Sequence, residues 1–255
     1  MKLKNIFSRF ANDSDLDKDE KRYDKNIGKD DITSKIVRDL MQNPLLAEYK
    51  WIKSRKCFEL RTEYGFKRLD IENWSGFDLD RDIGCLTIRP SMYLRHNILH
   101  EWFAEFSFKT KSDQKNSWSV GRSLQMLGLK NEVHFLPGLK DYDKDFQKLC
   151  SGIEKLNAAI EPYTDLKYLF DSDIKRMIDN QDYEFPKTGV EWIFESMILA
   201  NNYANKNYSD FKVRLVNHIE KMQNDNEPNL REYYDRIEQI FEKLEKIKAP
   251  NNKYT

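Results

Sequence analysis

The chain has 255 residues, enough for one large domain or two small ones. Aromatic residues make up 13% of it, which argues against a disordered class because chains unable to offset ordering entropy are poor in aromatics. Lys and Arg number 43, as do Asp and Glu, so the net charge of zero lacks the basic excess typical of nucleic-acid binders.

The three cysteines are odd in number and widely spaced, which is neither a disulfide framework nor a zinc pattern. We therefore expect buried free thiols in a reducing cytosol. The three are Cys57, Cys85 and Cys150.

Residues 1–32 are predicted to form a short helix and a charged mobile linker. Four apolar residues near the start share one helical face, and nearly every residue from 11 to 31 is charged or polar. The start lacks the apolar core of a signal peptide, and no stretch of about eighteen apolar residues predicts a membrane span. We expect a cytoplasmic protein without membrane contact. The four apolar residues are Leu3, Ile6, Phe7 and Phe10.

A helix, a hairpin and a long strand are predicted next. The helix begins near Thr33 and stops at Pro44. Alternation through CFELRTEY, and more loosely through FKRLDIENW, predicts a β-hairpin with Gly65 in the turn. The stretch CLTIRPSMYLR alternates regularly and predicts another strand. Pro90 places that strand at a sheet edge or a bulge, because proline has no N–H to donate to the ladder.

The stretch YLRHNILHEWF changes from a strand period to a helical one. Asn97 is a favourable N-cap, and the apolar residues as far as Phe106 predict a short amphipathic helix. A polar loop follows, and EVHFL, closed by Pro137, predicts one more strand.

From residue 141 onward apolar residues recur at helical spacing in five predicted helices. The third opens with a capping box from Thr188 to Glu191, and the last opens with Pro228. The predicted fold class is therefore α+β. A small antiparallel sheet with flanking helices occupies residues 33–140, and a C-terminal helical bundle occupies residues 141–250.

Metal sites are not predicted. His96 and His100 are four apart, but His96 precedes the predicted cap, and Ala104 stands where a thermolysin-type motif needs its second histidine. Alternate aspartates in residues 13–17 and 78–82 begin like calcium loops but lack the glycine and the glutamate that such loops require. There is no glycine-rich phosphate loop and no nucleophile elbow, so no cofactor is expected.

Arg95 and His100 carry an enzymatic hypothesis. Arginine five positions before histidine, followed by the polar His96, resembles the R-x4-H motif of HEPN ribonucleases. The resemblance implies metal-independent RNA cleavage, with Arg95 and His100 serving the 2′-hydroxyl and the scissile phosphate. HEPN domains are helical, whereas the residues before Arg95 alternate as a strand. The structural interpretation of the same pair is a strand-end arginine and a surface histidine.

A second resemblance covers residues 33–136. A leading helix, then FELRTEYGFKRLDIENW, LTIRPSMYL and ILHEWF, resembles the uncharacterised bacterial DUF4304-type proteins. The resemblance implies an α+β domain of a bacterial accessory protein that binds another protein, such as a toxin-neutralising partner. It implies no site residues.

The favoured hypothesis is a non-enzymatic, cytoplasmic bacterial interaction or accessory protein, associated with immunity or defence. Its expected partner is a protein, with RNA a partner only under the ribonuclease alternative and DNA not expected. Tryptophan is enriched at interfaces, so four tryptophans are candidate binding residues, with core packing as the equal alternative for each. These are Trp51, Trp74, Trp118 and Trp192.

Overall fold

The computed structural model describes residues 28–180, 190–204, 207–222 and 230–248. Most of the predicted N-terminal helix and linker, and the first aspartate run, lie outside the described residues. So do two predicted helix-start residues, Thr188 and Pro228.

Helix α1, Lys29–Met41, confirms the first predicted helix and begins slightly earlier than expected. Ile32, Ile36 and Leu40 recur at helical spacing and are all buried. Acidic residues stand in the first turn and Arg38 in the last, which suits the helix dipole. Pro44 then begins a separate 3₁₀ turn, Pro44–Leu46.

A six-stranded antiparallel sheet follows, with strand order β1-β2-β3-β4-β5 and with β6 also pairing with β4. The register is Trp51 to Phe58 between β1 and β2, and Thr87 to His134 between β4 and β6. The strands are β1 (Lys50–Ile52), β2 (Cys57–Arg61), β3 (Gly65–Asp78), β4 (Ile83–His96), β5 (Val120–Ser123) and β6 (Val133–Phe135).

The predicted hairpin is confirmed as β2 and β3, with Gly65 closing its turn. The backbones of Thr62 and Gly65 exchange hydrogen bonds of 3.1 and 3.3 Å. A Cβ atom at Gly65 would lie 2.1 Å from the carbonyl oxygen of Arg95 in β4. Only glycine allows the two backbones to approach so closely.

The variant Gly65→Ala is therefore expected to destabilise the protein. The added methyl group meets backbone, which cannot rotate away, so we expect a loss of about 1–3 kcal/mol in unfolding free energy. Gly84→Ala is the control, because no heavy atom lies within 4 Å of a Cβ built there. Chemical denaturation of both variants measures the difference, and equal stabilities would contradict the expectation.

Strand β4 differs from its prediction in two respects. Pro90 lies in an interior strand, so of the two predicted placements, a sheet edge or a bulge, the edge is wrong. Strand β6 pairs only with Leu86–Ile88, so Pro90 falls beyond the end of that ladder. Thr87 and Ser91, placed on the polar side by alternation, are buried as well. The alternation did not predict the burial of Thr87 and Ser91, because it reflects side-chain polarity and carries no information about which elements cover each face of the sheet.

The predicted junction after β4 is a 3₁₀ helix, Asn97–His100, followed by the short helix α2, Phe103–Phe106. His96 occupies the N-cap position, so the prediction of Asn97 as the cap is wrong. The Asn97 side chain instead accepts a hydrogen bond from the Arg95 guanidinium at 2.9 Å.

Helices dominate the remaining chain, as the apolar spacing predicted. The second predicted helix is interrupted by a π-helical turn, Phe170–Ile174, and the last is two helices. The helices are α3 (Lys111–Asn116), α4 (Tyr142–Ile160), α5 (Leu166–Leu169), α6 (Lys175–Asp179), α7 (Val190–Tyr203), α8 (Tyr208–Met222), α9 (Leu230–Asp235) and α10 (Ile237–Lys246). The predicted α+β class, with a sheet, flanking helices and C-terminal helices, is confirmed.

The described chain divides into two compact units, each assembled from separate segments. The first contains the residues up to Leu60, with Arg68–Met92 and Arg122–Ala158. The second contains Arg61–Lys67, Tyr93–Gly121 and the residues from Ala159 onward. The predicted boundary at residue 140 falls inside the first unit. No helix in the described ranges is long and apolar enough to cross a membrane.

Candidate functional site

Four polar side chains of the second unit make a buried chain of contacts, here called the His100 network: His96, His100, Ser119 and Glu195. The Nε2 atom of His100 lies 3.1 Å from Ser119 Oγ, which also accepts the backbone N–H of His96 at 3.1 Å. His100 Nδ1 lies 3.0 Å from Glu195 Oε1, but out of line for a hydrogen bond. His96 Nε2 donates to the carbonyl oxygen of Tyr163 at 2.8 Å.

The network joins four elements of the second unit. His96 ends β4, His100 ends the 3₁₀ helix, Ser119 precedes β5 and Glu195 lies in α7. None of the four is more than 6% exposed. The interpretation of His100 as a surface histidine is therefore wrong. Its ring is buried and packs edge-to-face with the Phe103 ring, with 4.7 Å between the two ring centroids.

The order of groups in the network is that of a nucleophile, a base and an orienting carboxylate. Ser119 Oγ, however, is held by the His96 N–H and is closed off from substrate by burial. Burial also lowers the pKa of His96 to about 4, which keeps that ring neutral. We interpret the network as a structural contact between elements, because Ser119 Oγ and His96 Nε2 both have hydrogen-bond partners inside the fold.

Arg95 fastens the end of α3 in the same unit. Its Nη1 donates to the carbonyl oxygens of Gln114 and Ser117 at 2.5 and 2.8 Å, and its Nε donates to Asn97. Cationic side chains at helix C-termini stabilise the unpaired carbonyls there. Burial lowers the pKa of this guanidinium, and the like charge of Arg61 lowers it further.

Arg95 and His100 contact different partners in the described structure. Arg95 holds backbone carbonyls, and His100 faces Ser119 and Glu195 with a side chain that is 0% exposed. A ribonuclease base must come within hydrogen-bond reach of its substrate. In this conformation RNA has no access to the His100 ring, so the geometry gives the ribonuclease hypothesis no support.

The four candidate tryptophans are not core residues. Trp118 is the most exposed at 45%, and its ring lies against Tyr93 with the centroids 5.1 Å apart. The Arg89 guanidinium lies 4.7 Å from the ring centre of Trp74. Only the fifth tryptophan, Trp102, is completely buried. The other two candidates, Trp51 and Trp192, are partly exposed.

A separate feature of the first unit is the turn between β3 and β4, whose large apolar side chains face solvent. We call Phe77, Leu79 and Ile83 the turn surface. They are 44%, 84% and 36% exposed. Met126 and Leu129, in the same unit, are also exposed. The next residue, Lys130, has its Nζ 3.7 Å from an Asp80 carboxylate oxygen.

The polar residues of this turn are held by hydrogen bonds, whereas its apolar residues are exposed to solvent. Asp78 Oδ1 accepts the backbone N–H groups of Asp80 and Arg81 at 3.0 and 3.1 Å. The Arg81 guanidinium makes a two-pronged contact with Asp145 of α4, both bonds being 2.9 Å long. His134 Nδ1 lies 3.2 Å from the other oxygen of Asp78. The turn therefore has a defined backbone.

Sequence reasoning did not select the turn surface, the Arg81–Asp145 pair, Ser119 or Glu195. Two local signals were nevertheless present. Large apolar residues interrupt the acidic stretch FDLDRDIG, and Glu195 interrupts the apolar run IFESMILA. An ionisable residue within an apolar helix run rarely stays buried without a partner.

The cysteines are free, with Cys57 and Cys85 buried and Cys150 half-buried beside the Asn43 amide at 3.2 Å. Burial raises the pKa of each thiol, which disfavours a reactive thiolate. Within the described part of the chain, no cluster of three His, Cys, Asp or Glu residues could hold a metal ion.

No protein-family model matches the chain, and neither does any of the curated proteins or solved structures with which it was compared.

Proposed function

We propose that the chain is a non-enzymatic interaction protein that binds a partner protein through the turn surface. The observation that carries the proposal is Leu79, which is 84% exposed at the tip of a fixed turn, with Phe77 and Ile83 beside it in the sequence. Grouped exposed apolar residues mark interaction sites, whereas scattered single ones do not.

The turn is suited to binding because its shape is already set. The Asp78 contacts and the Arg81–Asp145 pair hold the backbone before any partner arrives. A preformed loop loses less conformational entropy on binding than a disordered one, so more of the contact energy remains as affinity.

The charges around Leu79 indicate the chemistry of the partner. The Asp80 side chain is 85% exposed, and Asp82 is exposed as well, whereas Arg81 is turned toward Asp145. An apolar tip with an acidic rim complements an apolar cleft rimmed by Lys or Arg, since opposite charges raise association rates and exclude wrong partners. We therefore propose a partner with such a cleft.

The biological setting extends the proposal. The resemblance of residues 33–136 to bacterial accessory proteins supports a cytoplasmic bacterial protein, with immunity or defence as its context. A toxin with a basic active-site cleft has the chemistry that the acidic turn complements.

The proposal is tested by a photo-crosslinking amino acid at position 79 in the native host. We expect one protein with a basic-rimmed cleft to be captured, and capture to be lost when Asp80 and Asp82 are changed to Lys. The probe at Val213, which is 59% exposed on α8 of the second unit, is the matched control.

The stability of the variants separates binding from folding. The Lys substitutions at Asp80 and Asp82 remove the acidic rim but should change the unfolding free energy by no more than about 0.5 kcal/mol, because both side chains are exposed. Loss of capture with unchanged stability supports the proposal. Equal capture at positions 79 and 213, or capture unaffected by the Lys substitutions, would refute it.

A further inference from the structure

A second exposed surface lies in the second unit and consists of two aromatic rings packed against each other at a tilt. The Trp118 ring is 45% exposed and rests on Tyr93, with 5.1 Å between the centroids and 37° between the planes. Gly121 lies beneath both rings, since a Cβ atom there would come within 3.1 Å of Tyr93 and 3.3 Å of Trp118. We call these three residues the Trp118 platform.

The platform is held on both sides of Trp118. The preceding residue, Ser117, offers its carbonyl oxygen to Arg95 at 2.8 Å, and the following residue, Ser119, donates its N–H to Leu94 at 2.8 Å. Because Ser117 and Ser119 both hydrogen-bond to residues of β4, the backbone at Trp118 is held in place. A pre-positioned ring can accept a flat ligand without first being ordered.

Basic residues lie near this platform in the sequence, although the chain as a whole is neutral. The segment from Ser107 to Trp118 contains three lysines and one aspartate, and one of the lysines, Lys109, is ion-paired with Glu191. Lys111 and Lys115 are exposed on α3, whose C-terminal end Arg95 holds. Arg61 is exposed and close enough to lower the pKa of Arg95 as a like charge.

We propose that the Trp118 platform binds single-stranded RNA, with a base stacked on the indole and the neighbouring phosphates on Lys111, Lys115 and Arg61. Aromatic rings beside a positively charged track are the shared feature of single-strand binding surfaces, and every base has a face that can stack. Ser112 lies on α3 between these lysines and Asn116 directly follows them, with its amide 3.5 Å from Ser112 Oγ; both side chains are of a kind that hydrogen-bonds a 2′-hydroxyl, which favours RNA over DNA. This proposal is independent of the protein-binding turn.

The test uses the full chain and a fluorescein-labelled oligouridine about 12 nucleotides long, within the site sizes of single-strand binding surfaces. Fluorescence anisotropy should show saturable binding, and Trp118→Ala should weaken it roughly tenfold or more. Trp118→Phe should restore most of the affinity, because a phenyl ring still stacks. Lys111→Ala and Lys115→Ala should each reduce the slope of log affinity against log salt by about 0.7.

Trp74→Ala is the matched control, since Trp74 is a partly exposed tryptophan of the first unit. The Arg89 guanidinium lies over its ring. The Trp74→Ala variant should bind like the wild type, as should Leu79→Asp. Absence of binding, or equal affinity of Trp118→Ala and wild type, overturns the proposal. Equal or tighter binding of oligodeoxythymidine overturns the assignment to RNA. Dependence of Leu79-directed protein capture on Trp118 makes the platform a protein contact and also overturns it.

Discussion

Arg81→Met is expected to lower the unfolding free energy by about 3–5 kcal/mol, the usual cost of leaving a buried charge without its partner. Asp145 is 0% exposed, and Arg81 supplies two of the hydrogen bonds to its carboxylate. Burial alone would raise the pKa of Asp145, but the hydrogen bonds from Arg81 and Lys148 outweigh it and lower that pKa. The carboxylate is therefore ionised, and without Arg81 it stays buried with one cation.

Lys148→Met is the matched control for Arg81→Met. Lys148 also donates to Asp145, at 2.8 Å, but its side chain is 51% exposed. An exposed partner contributes little, so we expect a loss below about 1 kcal/mol. The double variant Arg81→Met/Asp145→Leu should recover part of the stability, since it removes both charges. Chemical denaturation measures all three, and similar losses for Arg81→Met and Lys148→Met would contradict this account.

The Arg81–Asp145 pair also links stability to the proposed function. Arg81 lies in the β3–β4 turn and Asp145 in α4, so the pair fixes the segment that carries Leu79. Loss of the pair should loosen the turn and weaken partner binding without changing an exposed residue. Hydrogen exchange at residues 79–82 reports this loosening directly.

The sequence was sufficient for most of the elements, because each depends on a local pattern. Alternation around Gly65 located the hairpin, and helical spacing located the helix at residues 29–41 and those after residue 141. Local patterns do not predict burial that depends on packing against residues distant in the sequence. Ser91 reads as a solvent-facing strand residue, and only the fold shows what covers it.

The candidate sites were harder to predict because their residues are distant in the chain. Arg81 and Asp145 are 64 positions apart, and either one alone resembles an ordinary surface charge. Ser119 and His100 are 19 apart, in segments predicted as a loop and a helix. Trp118 was selected for its residue type, but its exposure and its contact with the Tyr93 ring required the structure.

Acidification is expected to destabilise the protein through His96. Burial lowers the pKa of His96 to about 4 in the folded state, from an ordinary value of 6.5. The Tyr163 carbonyl and Asp165 oppose this effect, whereas His100 adds to it. Below pH 6.5 the unfolded chain takes up a proton that the folded chain refuses, so the unfolding free energy falls with pH.

The loss should be complete near pH 4, where the folded ring also becomes protonated. At about 1.4 kcal/mol for each pH unit between the two pKa values, it amounts to roughly 3 kcal/mol. Denaturation of wild type and His96→Gln between pH 7 and pH 4 measures it. Glutamine cannot titrate but can still donate a hydrogen bond to the Tyr163 carbonyl. The unfolding free energy of the variant should therefore approach that of the wild type as pH falls. Parallel profiles, or a His96 imidazole that titrates near pH 6.5 by NMR, would show that the buried ring does not control this dependence.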